Sequence, residues 1–298
     1  MPAGRPDAEV DVDEALVRRL IATQHPDLNH LELAPLDAGW DNVLFRLGDE
    51  LVVRVPRREV AAGLVDNEQT WLPTLAPRLS IPIPAPVRRG EPTDFYTWPW
   101  SVVPWFEGEC ADVTPVASAE ADRFADFLMA LHQAAPLNAP KNPVRGVPLR
   151  AREANTLERM ARLREKTDLV TPDIERLWRD GLAAPEAADS RWVHGDLHAQ
   201  NVLVDGDGAV SAVIDWGDLN GGDVATDLAG IWAVFESADD RARILHRYGP
   251  DDALLARSKG WAVVFGVVLT DSGLINSPRH AAAGEKILKR LVEDSGIA

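Results

Sequence analysis

A small antiparallel sheet followed by a larger, mainly helical half, an α+β fold in two lobes, is what this chain predicts from three observations. Short β-rich runs separated by turn residues come first. Helical periodicity dominates the later positions, and one tight pair of apolar runs interrupts it around residues 202–214. The 298 residues are 46% apolar and include ten Trp, enough for one large domain or two intimate lobes with ample core.

The elements follow in order. Asp13 can N-cap a helix running to Gln24, with Leu16, Leu20 and Ile21 as its apolar stripe. Strands are expected at Leu31 to Leu36, Asn42 to Leu47 and Leu51 to Val55, punctuated by Asp37-Ala38-Gly39 and Gly48-Asp49-Glu50. A helix from Glu59 to Leu75 comes next. Three prolines between Ser80 and Pro86 force an extended segment, and further strands are expected near Val87-Arg88 and over Tyr96 to Val103. Helices are then expected at Pro115 to Gln133, Arg150 to Lys166, Pro172 to Ala184, Asp223 to Glu236, Asp239 to Tyr248, Asp252 to Gly273 and Ser277 to Ser295. The boundary between lobes is expected close to Trp98–Gly108, giving residues 1–103 and 104–298. No internal repeat or low-complexity tract is present.

The densest chemistry lies between His194 and Ala229. His194-Gly195-Asp196 leads, after a four-residue spacer, to Asn201; then come Val202 to Val204, the turn Asp205-Gly206-Asp207-Gly208, and Val210 to Ile214 ending at Asp215. Such a hairpin brings Asn201 and Asp215 together although fourteen positions separate them. Phosphoryl transfer from a nucleotide needs this set: one Asp to orient an attacking hydroxyl, and an Asn and a second Asp to hold Mg²⁺. Hard oxygen ligands suit that ion, which keeps some of its waters. As single residues the same groups are an N-capping Asp, a turn Asn and a strand-end Asp; their joint spacing around one strand pair favours the catalytic reading.

His194-Gly195-Asp196 with Asn201, Ile214-Asp215-Trp216 and Gly222-Asp223-Val224-Ala225-Thr226-Asp227-Leu228-Ala229 together resemble the aminoglycoside phosphotransferase and choline kinase group, small-molecule kinases with a bilobal protein-kinase-like fold. The resemblance is specific over these residues and looser upstream. It implies Asp196 as catalytic base, Asn201 and Asp215 as Mg²⁺ ligands, and ATP or GTP as phosphate donor. His194, Asp223 and Asp227 read as scaffold around the catalytic loop, the last two sharing a helix face near its start. His198, inside the spacer, reads as structural or solvent-facing.

No G-x-x-x-x-G-K-[ST] occurs, which excludes a P-loop kinase on motif grounds. The phosphate lid is instead expected at Asp37 to Asn42, with Gly39 and Asn42 near the nucleotide; it carries one glycine where a protein-kinase loop has three. Arg54 among the valines of the third strand takes the place of the protein-kinase Lys, with Glu68 on the following helix as its partner. Backbone groups of Val103 and Trp105 are candidates for pairing with the base in the hinge-like stretch, which reads equally as an aromatic core strand.

The net charge of −16 argues against nucleic acid as a partner and is compatible with a cationic acceptor or simply with solubility. On the acceptor side Glu236 and Asp271 are the candidate carboxylates. There is no signal-peptide pattern, and the densest apolar stretch, Ala262 to Leu269, is too short to span a bilayer. The single Cys110 allows no intrachain disulfide, so a cytoplasmic location without membrane attachment is expected. The expected activity is transfer of a nucleotide γ-phosphate to a hydroxyl of a small molecule, an aminoglycoside or other antibiotic first. A metabolic acceptor (sugar, amino alcohol or nucleoside-like) is the rival, and an inactive nucleotide-binding scaffold comes third. Oligomeric state, ATP or GTP preference, and the identity of the acceptor hydroxyl are not legible.

Overall fold

The computed structural model describes residues 8–38 and 41–296, which divide into two compact units. One comprises residues up to 78 together with 82–107; the other comprises 79–81 and everything from 108 onward.

In the first unit, α1 (Glu14–Gln24) is N-capped by Asp13, whose side chain accepts from the Leu16 N–H at 2.7 Å. Strands β1 (Leu33–Ala38), β2 (Asn42–Leu47) and β3 (Leu51–Pro56) are followed by α2 (Glu59–Leu75), β4 (Arg88–Gly90) and β5 (Trp100–Pro104). They form an antiparallel sheet in the order β1-β2-β3-β5-β4. Alternation along β3 sends Val53 and Val55 into a core with Leu20, Ile21, Phe45, Leu47 and Trp100. Arg54 leaves on the other face. The expected first strand starts two residues late, at Leu33, and the expected Tyr96–Val103 strand starts only at Trp100. Tyr96 instead closes a small bridge with Thr93 and bonds the Pro56 carbonyl through its hydroxyl at 2.7 Å.

The second unit contains β6 (Glu109–Cys110), α3 (Ala121–Leu131), α4 (Glu153–Lys166), α5 (Pro172–Ala183), β7 (Arg191–Val193), β8 (Val202–Val204), β9 (Val210–Val213) and β10 (Asn220–Gly222). It continues with α6 (Ala225–Leu228), α7 (Ile231–Val234), α8 (Ala238–Tyr248), α9 (Asp252–Asn276) and α10 (Pro278–Ser295). Helix α9 has the length and apolarity of a bilayer span, but here it is the central core helix, packed by α4, α5, α6 and α10. Two small sheets carry the motif: β6-β8-β9, and the ribbon β10-β7.

The helix expected over Asp223 to Glu236 is two four-residue turns, α6 and α7, broken at Gly230. At the break another segment passes close to the chain. The Cα of Gly230 lies so close to the Leu197 carbonyl that a β-carbon would sit 2.5 Å from that oxygen. The chain tightens there to i→i−3 bonds, with the Gly230 N–H on the Asp227 carbonyl at 2.8 Å.

Candidate active site

The β7–β10 ribbon aligns Val193 with Asn220, so the loop leaving β7 and the segment leaving β9 run side by side. The loop begins with His194, whose N–H donates to Asp227 Oδ2 at 2.6 Å, and Gly195, whose N–H donates to Asp227 Oδ1 at 2.8 Å. Asp227 is fully buried and also faces His132 Nε2 at 3.4 Å; His132 Nδ1 in turn lies 2.8 Å from the Tyr248 hydroxyl. One carboxylate thus satisfies two successive backbone donors that burial would otherwise orphan.

The His194 ring ties the two segments together. Its Nδ1 accepts from the Asp196 N–H at 3.2 Å and its Nε2 lies 3.0 Å from the Ile214 carbonyl. A carbonyl can only accept and an N–H can only donate, so the ring proton sits on Nε2. Trp216 packs edge-on against that ring at 4.7 Å. Between His194 and Asp196, Gly195 adopts φ +89°, and a β-carbon there would meet the Asp218 carbonyl oxygen at 2.6 Å. Only glycine fits this turn.

Asn201 and Asp215 are brought together as the hairpin predicts: the Ile214 N–H donates to the Asn201 carbonyl at 2.9 Å. Asn201 Nδ2 donates to the Asp196 carbonyl at 2.9 Å, which directs its Oδ1 the other way. Asp215 is the one non-glycine residue at positive φ among the described residues, at 60°. Such a conformation costs about 1 kcal/mol or more and here turns the chain sharply at the end of β9. An amide oxygen and a carboxylate at adjoining turns make the oxygen-only, low-denticity donor set that Mg²⁺ takes, so the residues present fit that ion.

Asp196 has its carboxylate 23% exposed, with Arg145 Nη2 at 2.6 Å from Oδ1 and His198 Nε2 at 3.4 Å from Oδ2. Burial pushes its carboxyl up, but the charges of His198 and Arg145, with a bond from His198, outweigh burial and hold it well below the usual carboxylate range. Asp218, 3.6 Å from Arg145 Nε, is pushed the other way, by burial first and then by the neighbouring Asp196.

The remaining second-unit candidates serve ion pairs within the chain. Asp223 is buried, accepts from the Ala225 N–H at 3.0 Å and takes Arg257 Nε at 2.7 Å. Asp271 is held by Arg159 at 3.0 Å and Arg162 at 2.6 Å, and Glu236 by Arg290 at 3.3 Å and Lys286 at 3.4 Å.

In the first unit, Arg54 Nη1 meets both carboxylate oxygens of Glu68 at 2.7 Å, with the two side chains only 12% and 3% exposed. Asn42, with its amide oxygen toward Arg54, accepts from Nε and Nη2 at 3.2 Å. Val103 lies in β5 opposite Val52, and the Trp105 N–H donates to the Glu50 carbonyl at 2.7 Å. Gly39 lies outside the described residues.

Arg145, Asn142 and Asp218 are the side chains at this site that sequence reasoning missed. Arg145 sits in a Pro- and Gly-containing stretch, Pro140 to Pro148, 51 positions before its partner. Nothing local marks it.

The model of a phosphotransferase enzyme family matches residues 32–261. No curated protein matches the chain by sequence. Among solved structures, the GDP complex of wild-type aminoglycoside 2'-phosphotransferase-IIIa is 18% identical, with 96% of this chain and 99% of that chain covered and a TM-score of 0.62. The macrolide 2'-phosphotransferase MphH from Brachybacterium faecium is 20% identical, with 92% and 97% covered and a TM-score of 0.57. A macrolide 2'-phosphotransferase type I is 23% identical, with 93% and 98% covered and a TM-score of 0.55. At these identities the likeness is one of fold.

Proposed function

Because this chain belongs to the phosphotransferase enzyme family, we propose that it transfers the γ-phosphate of ATP or GTP to a hydroxyl of a small molecule, with Asp196 as the residue that receives that hydroxyl. The observation that carries the reading is the gathering of Asp196, Asn201 and Asp215 on one loop and one hairpin, laced by His194.

Asp196 accepts the hydrogen bond of the acceptor hydroxyl and aims its oxygen at the phosphorus. Held ionised, it is a weak base, so its main contribution is orientation, and the proton moves to it as the new O–P bond forms and the bond from the γ-phosphorus to the bridging oxygen breaks, releasing the nucleoside diphosphate. Asn201 and Asp215 would hold Mg²⁺, which when bound supplies positive charge to the phosphate oxygens. Arg54, fixed by Glu68 and Asn42, offers a guanidinium for the phosphates that are not transferred. Catalysis of this kind rests on positioning and charge more than on covalent chemistry.

An antibiotic acceptor is supported by the aminoglycoside and macrolide phosphotransferases that share this fold over nearly their whole length. One observation favours the metabolic alternative: Glu236 and Asp271, the carboxylates expected to meet a cationic acceptor, are already paired with Arg or Lys. The test is Mg²⁺-dependent consumption of ATP and GTP against a panel of aminoglycosides, macrolides and cellular alcohols. Stimulation by an antibiotic, lost in Asp196→Ala, is the expected result. Stimulation only by a metabolite moves the protein to the metabolic kinases, and nucleotide binding without transfer to any acceptor leaves a silent scaffold.

A further inference from the structure

From within its own loop Asp196 is held chiefly through its backbone, with His198 Nε2 standing 3.4 Å from Oδ2 of the carboxylate. The N–H goes to His194 Nδ1 at 3.2 Å, and the carbonyl takes Asn201 Nδ2 at 2.9 Å. The short contact on the carboxylate comes from outside the motif, from Arg145 at 2.6 Å on Oδ1.

The loop carrying Arg145 is itself fastened. The Pro140 carbonyl accepts from the Gly221 N–H at 3.0 Å, and the Gly146 carbonyl accepts from the Asp223 N–H at 2.8 Å. The Gly146 N–H donates to Thr226 Oγ1 at 3.2 Å. Asn142 accepts the Arg145 N–H at 3.0 Å through its amide oxygen and donates to Asp218 Oδ1 at 2.7 Å. The guanidinium carbon lies 5.0 Å from the centre of the Phe265 ring on α9, and Nε lies 3.6 Å from Asp218 Oδ2. Backbone, planar face and fork edge are therefore all located.

We propose that Arg145 is a positioning residue for phosphoryl transfer. It pins Oδ1 of Asp196 so that the other oxygen, Oδ2, which His198 Nε2 flanks at 3.4 Å, is presented to the acceptor hydroxyl, and it balances the charges of Asp196 and Asp218. The proposal rests on the phosphotransfer reading above. A carboxylate can turn about two side-chain bonds, and each turn moves the accepting oxygen away from the line of attack. A planar fork bonded to one oxygen removes that freedom, whereas a Lys ammonium supplies charge without the plane. With Arg145 gone, Asp196 and Asp218 face each other with no cation between them, and the Asp196 carboxylate turns away from Asp218.

The experiment compares wild type, Arg145→Lys, Arg145→Gln and Asp196→Ala as full-length chains. It reads nucleotide affinity by Trp fluorescence, melting temperature, turnover with the acceptor that the panel identifies, and crystal structures of wild type and Arg145→Gln. The expected result is that Arg145→Gln keeps nucleotide affinity within about twofold while kcat falls roughly 100-fold, with about a tenth of that loss in Arg145→Lys and little change in acceptor KM. In its crystal structure the Asp196 carboxylate leaves the rotamer it holds in wild type. An unmoved Asp196 carboxylate overturns the proposal whether or not an acceptor is in hand. Full kcat in Arg145→Gln, or equal losses of melting temperature and activity in both variants, overturns it as well. Turnover surviving in Asp196→Ala strikes the phosphotransfer reading itself, whereas a dead Asp196→Ala beside an intact Arg145→Gln strikes only the role of Arg145.

Discussion

Asp227→Asn changes one oxygen to an amino group, with no change of shape, under the loop that carries Asp196. In the native protein Oδ1 and Oδ2 accept from the Gly195 and His194 N–H groups at 2.8 and 2.6 Å, in a fully buried setting. An asparagine has one acceptor oxygen, so in either amide orientation its NH₂ faces a backbone N–H. One hydrogen bond to a charged acceptor, worth about 1.5–3 kcal/mol, is lost, and a buried donor left unmet costs about 1–3 kcal/mol more. The sum, roughly 3–5 kcal/mol, lowers the melting temperature by about 10 °C in a chain of this size. Because the damage falls on the two residues that precede Asp196, turnover should drop by about 100-fold or more at temperatures where the variant is still folded. The assays are urea unfolding, amide hydrogen exchange and acceptor-dependent nucleotide consumption. A variant within about 0.5 kcal/mol of wild type, or one whose His194 and Gly195 amides exchange no faster, would refute the claim that this carboxylate holds the loop.

Gly195→Ala forces an L side chain into φ +89° with its β-carbon 2.6 Å from the Asp218 carbonyl; a loss of about 3 kcal/mol or more in unfolding free energy is expected, together with loss of turnover. Glu68→Gln removes the charge that steadies Arg54 in a pair only 12% and 3% exposed; nucleotide affinity by titration should weaken about tenfold, and the melting temperature should fall as well, because losing one partner of a buried ion pair costs roughly 3–5 kcal/mol. Asp215→Ala should abolish the Mg²⁺ dependence of nucleotide binding, whereas Asp196→Ala leaves binding intact and removes turnover. Asp271 tests pH linkage. Bonds from Arg162 hold its carboxyl below 3.8, so its stabilising contribution is complete above the unfolded value and disappears as pH falls through the folded one. Asp271→Asn should therefore be less stable than wild type at neutral pH and lose less stability on acidification below 3.8, read by urea unfolding across pH.

Much of this was legible along the chain because the physics involved is local. Turn residues at Asp205 to Gly208 between two valine-rich runs dictate a hairpin, and the hairpin alone brings Asn201 to Asp215. Alternation along β3 places Arg54 opposite the core valines, and a charge left there seeks Glu68 on the next helix. The helix expected over residues 223–236 failed for a reason no local pattern carries. The chain is apolar and helix-compatible throughout, but where Gly230 passes close to the Leu197 carbonyl, a contact set by tertiary packing, the ladder changes to i→i−3 bonds. The β7–β10 ribbon was equally hidden, since Asn220-Gly221-Gly222 reads as loop until Arg191 to Val193 lies beside it.

The placement of Asp196, Asn201, Asp215 and Arg54, the residues proposed for base, metal ligands and cation, is thus a property of short segments, set by residue type, alternation and turn chemistry within a few positions. The orientation of Asp196 is not. Arg145 reaches Asp196 across 51 positions only because the backbone N–H groups of Gly221 and Asp223 and the hydroxyl of Thr226 anchor its loop. Asp227 reaches His194 and Gly195 across more than thirty positions only because the chain folds back at β10. Contacts of this kind leave no periodicity behind, because their energy depends on where packing brings distant backbone, and that becomes fixed only when the whole unit closes.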